Sequence, residues 1–124
     1  MLPASHDRAY QDFLTLLTKF LEVSKAEEAE SMKSAVRSEF SALSSWFEVH
    51  LAPLDDRSLD SAISARWQSV QTEILREFKL LSTDILFLAA AKKNLTQQQR
   101  QKSIESRLSK LIGYCQIMLE KDSN

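Results

Sequence analysis

One glycine and two prolines in 124 residues leave this chain few ways to turn. Ordinary proteins carry about 7% Gly and 5% Pro. Tight hairpins, Gly-rich phosphate loops and dinucleotide fingerprints all need backbone at positive φ, which glycine supplies most cheaply. With Gly113 alone, such architectures are nearly excluded. The abundant Leu, Ala, Ser, Glu, Lys, Gln and Arg favour long helices instead. The length suits one domain, 1–124, able to bury a continuous core without disulfides or metals. The expected fold class is all-α: an antiparallel up-down bundle of about four helices with a long third helix.

Apolar spacing places the helices. The first begins near Leu2-Pro3 and puts Tyr10, Phe13, Leu14, Leu17, Phe20 and Leu21 on one face. Ser24-Lys25-Ala26-Glu27 has the form of a capping box and predicts a break at 23–26, although a continuous helix there is the alternative. The second helix carries Met32, Val36, Phe40, Leu43 and Phe47 and ends with His50 or Leu51, before the Pro53-Asp55-Asp56 turn. A third, restarting near Ser58, has the seam Ile63, Trp67, Val70, Ile74, Phe78, Leu81, Ile85 and Leu88. Thr96-Gln97-Gln98-Gln99 predicts a second capping box, after which Ile104, Leu108, Leu111, Cys115 and Met118 form a heptad seam. Lys121 to Asn124 are expected to fray. Short connections favour antiparallel neighbours. The competing architecture is a hairpin of the last two helices that dimerises as a coiled coil.

Residues able to carry chemistry are sparse. His6 and His50 fall on different helices, and with Cys115 they make three candidates where structural zinc uses four ligands. No metal or cofactor is therefore expected. His50 fits a helix end, where an imidazolium meets the negative dipole, and Cys115 fits a core position. Glu73 and Glu77 fall off the apolar seam, which predicts a solvated face for both. Asp84 lies among Leu80, Leu81, Ile85, Leu86 and Phe87, so it must face solvent or find a partner such as Arg107 or the Tyr114 hydroxyl. With a seam that is apolar throughout, an enzyme or a ligand-binding bundle with a polar pocket is disfavoured.

Two features exceed the needs of a monomeric bundle. From Leu80 to Ala91 the third helix is apolar nearly all round, so Leu86 and Phe87 are either covered by a neighbouring helix or left as an exposed patch. Trp46 likewise sits at the flank of its seam, where half exposure is expected. Around the third turn cluster Lys92, Lys93, Arg100, Lys102, Arg107 and Lys110, with Glu105 alone among them. Lys92 and Lys93 suit a helix C-terminus, whereas Arg100 and Lys102 fall where the next helix's dipole disfavours cations. Leu86, Phe87, Lys92, Lys93, Arg100 and Lys102 are thus the candidate partner-binding residues.

Charge is divided along the chain. Residues 1–60 hold six Lys/Arg against eleven Asp/Glu, and residues 61–124 hold ten against six, for a net charge of −1. This near balance argues against nucleic acid or an anionic membrane as the partner. No basic-then-apolar leader is visible, and the longest apolar run, Ile85–Ala91, is seven residues against the ~20 of a membrane span. A single cysteine suits a reducing compartment, so a soluble, cytoplasmic protein is expected.

The stretches Trp67-Gln68-Ser69-Val70-Gln71-Thr72-Glu73-Ile74, Leu80 through Leu88, Arg107-Leu108 and Leu111-Ile112-Gly113-Tyr114-Cys115-Gln116 resemble the cyanobacterial heterocyst-frequency control proteins called PatD. The likeness covers about the last sixty residues; the first two helices match in general character alone. It implies a non-enzymatic cytoplasmic regulator that restrains how often vegetative cells become heterocysts, linked to the tubulin-like division protein FtsZ. It supplies no catalytic residues. A self-associating structural module, a homodimer, is the alternative.

Overall fold

The computed structural model describes residues 2–119; Lys121 to Asn124 lie outside them. Four helices follow in order, α1 (Ala4–Ser24), α2 (Ala29–His50), α3 (Ser61–Ala90) and α4 (Asn94–Leu119). At 1.5 Å per residue, α3 is about 45 Å long. None of the described helices is long and apolar enough to cross a membrane.

Each helix turns its apolar stripe onto one shared core. α1 contributes Tyr10, Phe13, Leu17 and Phe20, α2 contributes Met32, Val36, Leu43 and Phe47, and α4 contributes Ile104, Leu108, Leu111 and Cys115. Neighbours alternate in direction. Phe20 meets Phe40 and Phe13 meets Phe47, which runs α1 against α2. The Lys33 ammonium, near the start of α2, donates to the Ala91 carbonyl past the end of α3. α4 lies between α3 and α1 and makes the two largest interfaces, while α2 and α3 touch more sparingly. The result is the up-down bundle that the spacing predicts.

Helix boundaries depart from the capping-box expectation. Ser24 is the last residue of α1, and its hydroxyl bonds back to the Leu21 carbonyl at 2.7 Å instead of opening α2. Glu28 caps α2 through its carboxylate, which accepts from the Glu30 and Ser31 amides. The break itself falls as predicted. α3 begins at Ser61, three residues after Ser58; Asp56 steadies that start by accepting from the Ser64 hydroxyl and the Gln68 amide, which hold its carboxyl below the ordinary range. Thr96 sits inside α4, which begins at Asn94, so Thr96-Gln97-Gln98-Gln99 caps nothing. The Gln97 side chain instead reaches the Ala91 carbonyl at 3.1 Å.

The core is less apolar than its seam predicts. Gln71 is buried, accepting from the Tyr10 hydroxyl at 2.5 Å and donating to the Leu51 carbonyl at 3.2 Å. Trp67 donates its indole N–H to the same Tyr10 oxygen at 2.7 Å. His6 is buried beside the Trp67 ring, with its Nε2 2.8 Å from the Asp55 carbonyl. Its position 49 residues from Asp55 ties the start of α1 to the α2–α3 connection.

Candidate functional site

The α3–α4 turn gathers the predicted surface. α3 stops at Ala90, Ala91 to Lys93 make the connection, and the Lys93 carbonyl receives the Gln97 amide as α4 starts. Leu86 is 68% exposed and Phe87 49%, so a neighbouring helix covers Phe87 in part and leaves Leu86 open. Leu95, which the sequence reading did not single out, is 67% exposed at the same turn. Lys92, Lys93 and Lys102 are exposed and make no ion pair among the described residues.

Arg100 behaves differently. Its guanidinium carbon lies 4.5 Å from the centre of the Phe87 ring, and its Nη1 is 3.4 Å from Asp84 Oδ1. Because α4 starts at Asn94, Arg100 and Lys102 lie beyond the first turn, where the dipole argument no longer applies. Stacking on Phe87 and pairing with Asp84 account for Arg100. Consecutive residues on a helix point about 100° apart, so Leu86 faces a different side of α3 from Phe87. The six predicted residues share one end of the bundle without forming one flat patch.

Between α3 and α4 runs a chain of ion pairs. Arg107 donates from Nε to Asp84 at 3.0 Å and from Nη1 to Glu77 at 3.1 Å. Arg76 reaches Glu77 at 3.2 Å, and the Ser103 hydroxyl reaches Asp84 at 2.8 Å. The Arg107 partner predicted for Asp84 is the one observed. Glu77 corrects the solvated-face expectation: it is 1% exposed. α3 packs against α4 as well as across the core, so its buried arc is wide enough to take in Glu77 and Asp84 beside Leu81 and Leu88. Hydrogen bonding to Asp84 is the main influence raising the Arg107 pKa; burial opposes it and Glu77 adds to it. The Tyr114 hydroxyl lies by Glu73 and Glu77, whereas Asp84 is met by Arg100, Ser103 and Arg107; burial first, then the charges of Glu73 and Glu77, raises the Tyr114 pKa.

The remaining candidates fall at structural positions. Cys115 is fully buried, and burial pushes its thiol up to about 12. His50 is the last residue of α2, exposed, and packed against Trp46, which is half-buried and stacked on Phe13. Among the described residues, no group of three His, Cys, Asp or Glu side chains could hold a metal ion. An open groove of about 360 Å³ lies between α2 and α3 over Phe40, Phe47 and Phe78, with Leu75 on one wall.

No protein-family model matches the chain, and no curated protein or solved structure matches it.

Proposed function

We propose that this chain is a non-enzymatic, protein-binding regulator of the PatD kind, acting in the cytoplasm through contact with FtsZ to restrain heterocyst frequency. The observation that supports binding is the α3–α4 end, where exposed Leu86, Phe87 and Leu95 stand beside Lys92, Lys93 and Lys102, which make no ion pair among the described residues. Apolar side chains interspersed with cations at one end of the bundle suit an acidic segment of a protein partner, with the charges steering association. The resemblance over the last sixty residues supplies the partner's name.

The test is association of the purified chain with purified cyanobacterial FtsZ at several salt concentrations. Lys92→Glu, Lys93→Glu and Lys102→Glu together are expected to slow association at low salt and flatten its salt dependence, with an unchanged thermal melt. Arg100 is left in place because its removal would strip a partner from buried Asp84. Unchanged binding by the triple variant at low salt overturns the basic-end reading.

Self-association is the second reading, and one observation favours it. Gln101 donates to the Ser24 and Ala26 carbonyls, so the α1–α2 turn with Glu27, Glu28 and Glu30 shares an end with the basic turn. Acidic and basic halves of one end face would then pair between copies. A dimer mass in light scattering that falls to monomer in the same triple variant selects this reading.

A further inference from the structure

We infer that the groove between α2 and α3 is a docking site for an amphipathic helix of a partner protein, with acidic residues at one end of that helix and a basic residue at the other. The groove floor is aromatic: Phe47 and Phe78 stack with centroids 3.9 Å apart, and Phe40 lies 5.3 Å from Phe78. Leu75, Lys79 and Ser82 form the α3 wall. These positions recur at four- and three-residue steps, and the next step on the same arc is the exposed Leu86. Leu75 and Leu86, with Lys79 and Ser82 between them, therefore span about 16 Å of this arc, three helical turns. A ligand helix with apolar residues at i, i+4, i+7 and i+11 matches that repeat.

The occupant's charge follows from the walls. Ser44 and Glu48 line the α2 side, and Arg37 occupies the same arc of α2 two turns before Ser44. α2 and α3 are antiparallel, so Glu48 lies at the Leu75 end and Arg37 at the Leu86 end, with Lys79 between them. Glu48, Lys79 and Arg37 are exposed, and none makes an ion pair among the described residues. Negative at one end and positive over the remainder, the groove complements a helix with carboxylates toward Leu86 and a cation toward Leu75. Two copies docking groove to groove about a two-fold axis would set Glu48 against Arg37 of the other copy but bring the two Lys79 ammonium groups together, and the peptide and dimerisation measurements below separate this arrangement from a partner helix. The groove meets the Lys92-Lys93-Lys102 rim at Leu86, and Leu75 and Lys79 distinguish it from that surface.

The probe is a synthetic 16-residue amphipathic peptide with Leu at the i, i+4, i+7 and i+11 positions. It carries Glu at one end, Lys at the other and a fluorophore, and is titrated with the full chain by anisotropy. A peptide with Lys at both ends is the control, expected to bind more weakly. Arg37→Glu with Lys79→Glu should weaken the Glu-ended peptide about tenfold, the scale of two exposed ion pairs, and strengthen the all-Lys peptide. Leu75→Ser with Leu86→Ser, both at exposed positions, should abolish binding while the circular dichroism melt stays within a few degrees. A spin label on the peptide's acidic end should broaden the Leu86 amide more strongly than the Leu75 amide. Lys92→Glu, Lys93→Glu and Lys102→Glu should leave peptide affinity unchanged, which separates this surface from the basic end. Absence of binding at millimolar peptide, or binding indifferent to both groove variants, overturns the proposal. Concentration-dependent dimerisation through the same groove residues also overturns it, in favour of a second copy.

Discussion

Replacing Arg107 with Met should cost the fold about 3 kcal/mol, at the lower end of the range for breaking a buried ion pair. Arg107 bridges two carboxylates whose side chains are only 2% and 7% exposed, at 3.1 and 3.0 Å. At an effective dielectric near 20, each contact has a Coulomb attraction of roughly 4 kcal/mol. That gross figure must be reduced, because the Arg107 side chain is 25% exposed and screened. Glu77 also keeps Arg76, and Asp84 keeps Arg100 and Ser103. What remains is the desolvation of two carboxylates with weaker partners. Urea melts at pH 7 with matched slopes measure it. The triple variant Glu77→Gln, Asp84→Asn, Arg107→Met removes the buried charges together and should lose less than Arg107→Met alone. A loss under about 1 kcal/mol for the single variant, or a larger loss for the triple, would refute the reasoning.

Leu111→Ala, at a fully buried α4 position, should cost about 2–5 kcal/mol by urea melting; a change under roughly 0.5 kcal/mol would mean the seam is not packed. Gly113→Ala should stabilise by roughly 0.5–1 kcal/mol, because the site is mid-helix, without positive φ, and an added Cβ meets nothing within 4 Å. Cys115 should react slowly with a thiol reagent in the native protein and rapidly in denaturant. Because burial raises the folded Cys115 pKa from 9.0 to about 12, the unfolded chain loses this proton first. The stabilisation is complete below pH 9 and declines toward pH 12, by up to about 1.4 kcal/mol per pH unit. Cys115→Ala should flatten that slope in urea melts taken across the range. Burial shifts Tyr10 in the same direction, partly offset by its bond from Trp67, so Tyr10→Phe should also reduce the loss above pH 10.

Helix number, direction and the dominant seams are legible in the sequence because they follow from spacing alone. The break after Ser24 is legible too, but its cap is not. Ser24 and Glu27 have the right types at the right separation, yet the carboxylate that closes α2 belongs to Glu28, one residue on. Ser24 instead ends α1, with its hydroxyl on the Leu21 carbonyl and its own carbonyl taken by Gln101, 77 residues away. Glu77 was misplaced for a related reason. Periodicity finds one stripe, whereas α3 buries toward both the core and α4, and the carboxylate there is met by Arg107 from α4 and by Arg76 from its own helix. Of the candidate site, exposure of Leu86 and Phe87 was open from sequence, and the engagement of Arg100 with Phe87 and Asp84 was invisible. The α2–α3 groove depends on how far two helices stand apart, which no single-helix pattern encodes.

The packing of α1 against α4 bears on how the chain reaches this structure during synthesis. Tyr10, Phe13 and Leu17 leave the ribosome well before the α4 face that covers this side of α1. Until Ile104, Leu108 and Leu111 emerge, the nascent chain holds three helices with an open apolar side, a species that chaperones would recognise. Contacts spanning most of the sequence also slow closure relative to bundles built from sequential neighbours. Joining residues 2 and 119 by a flexible linker and opening the chain at residues 57–58 would make α4 and α1 consecutive. Such a permutant should refold faster than the natural order while keeping the same core.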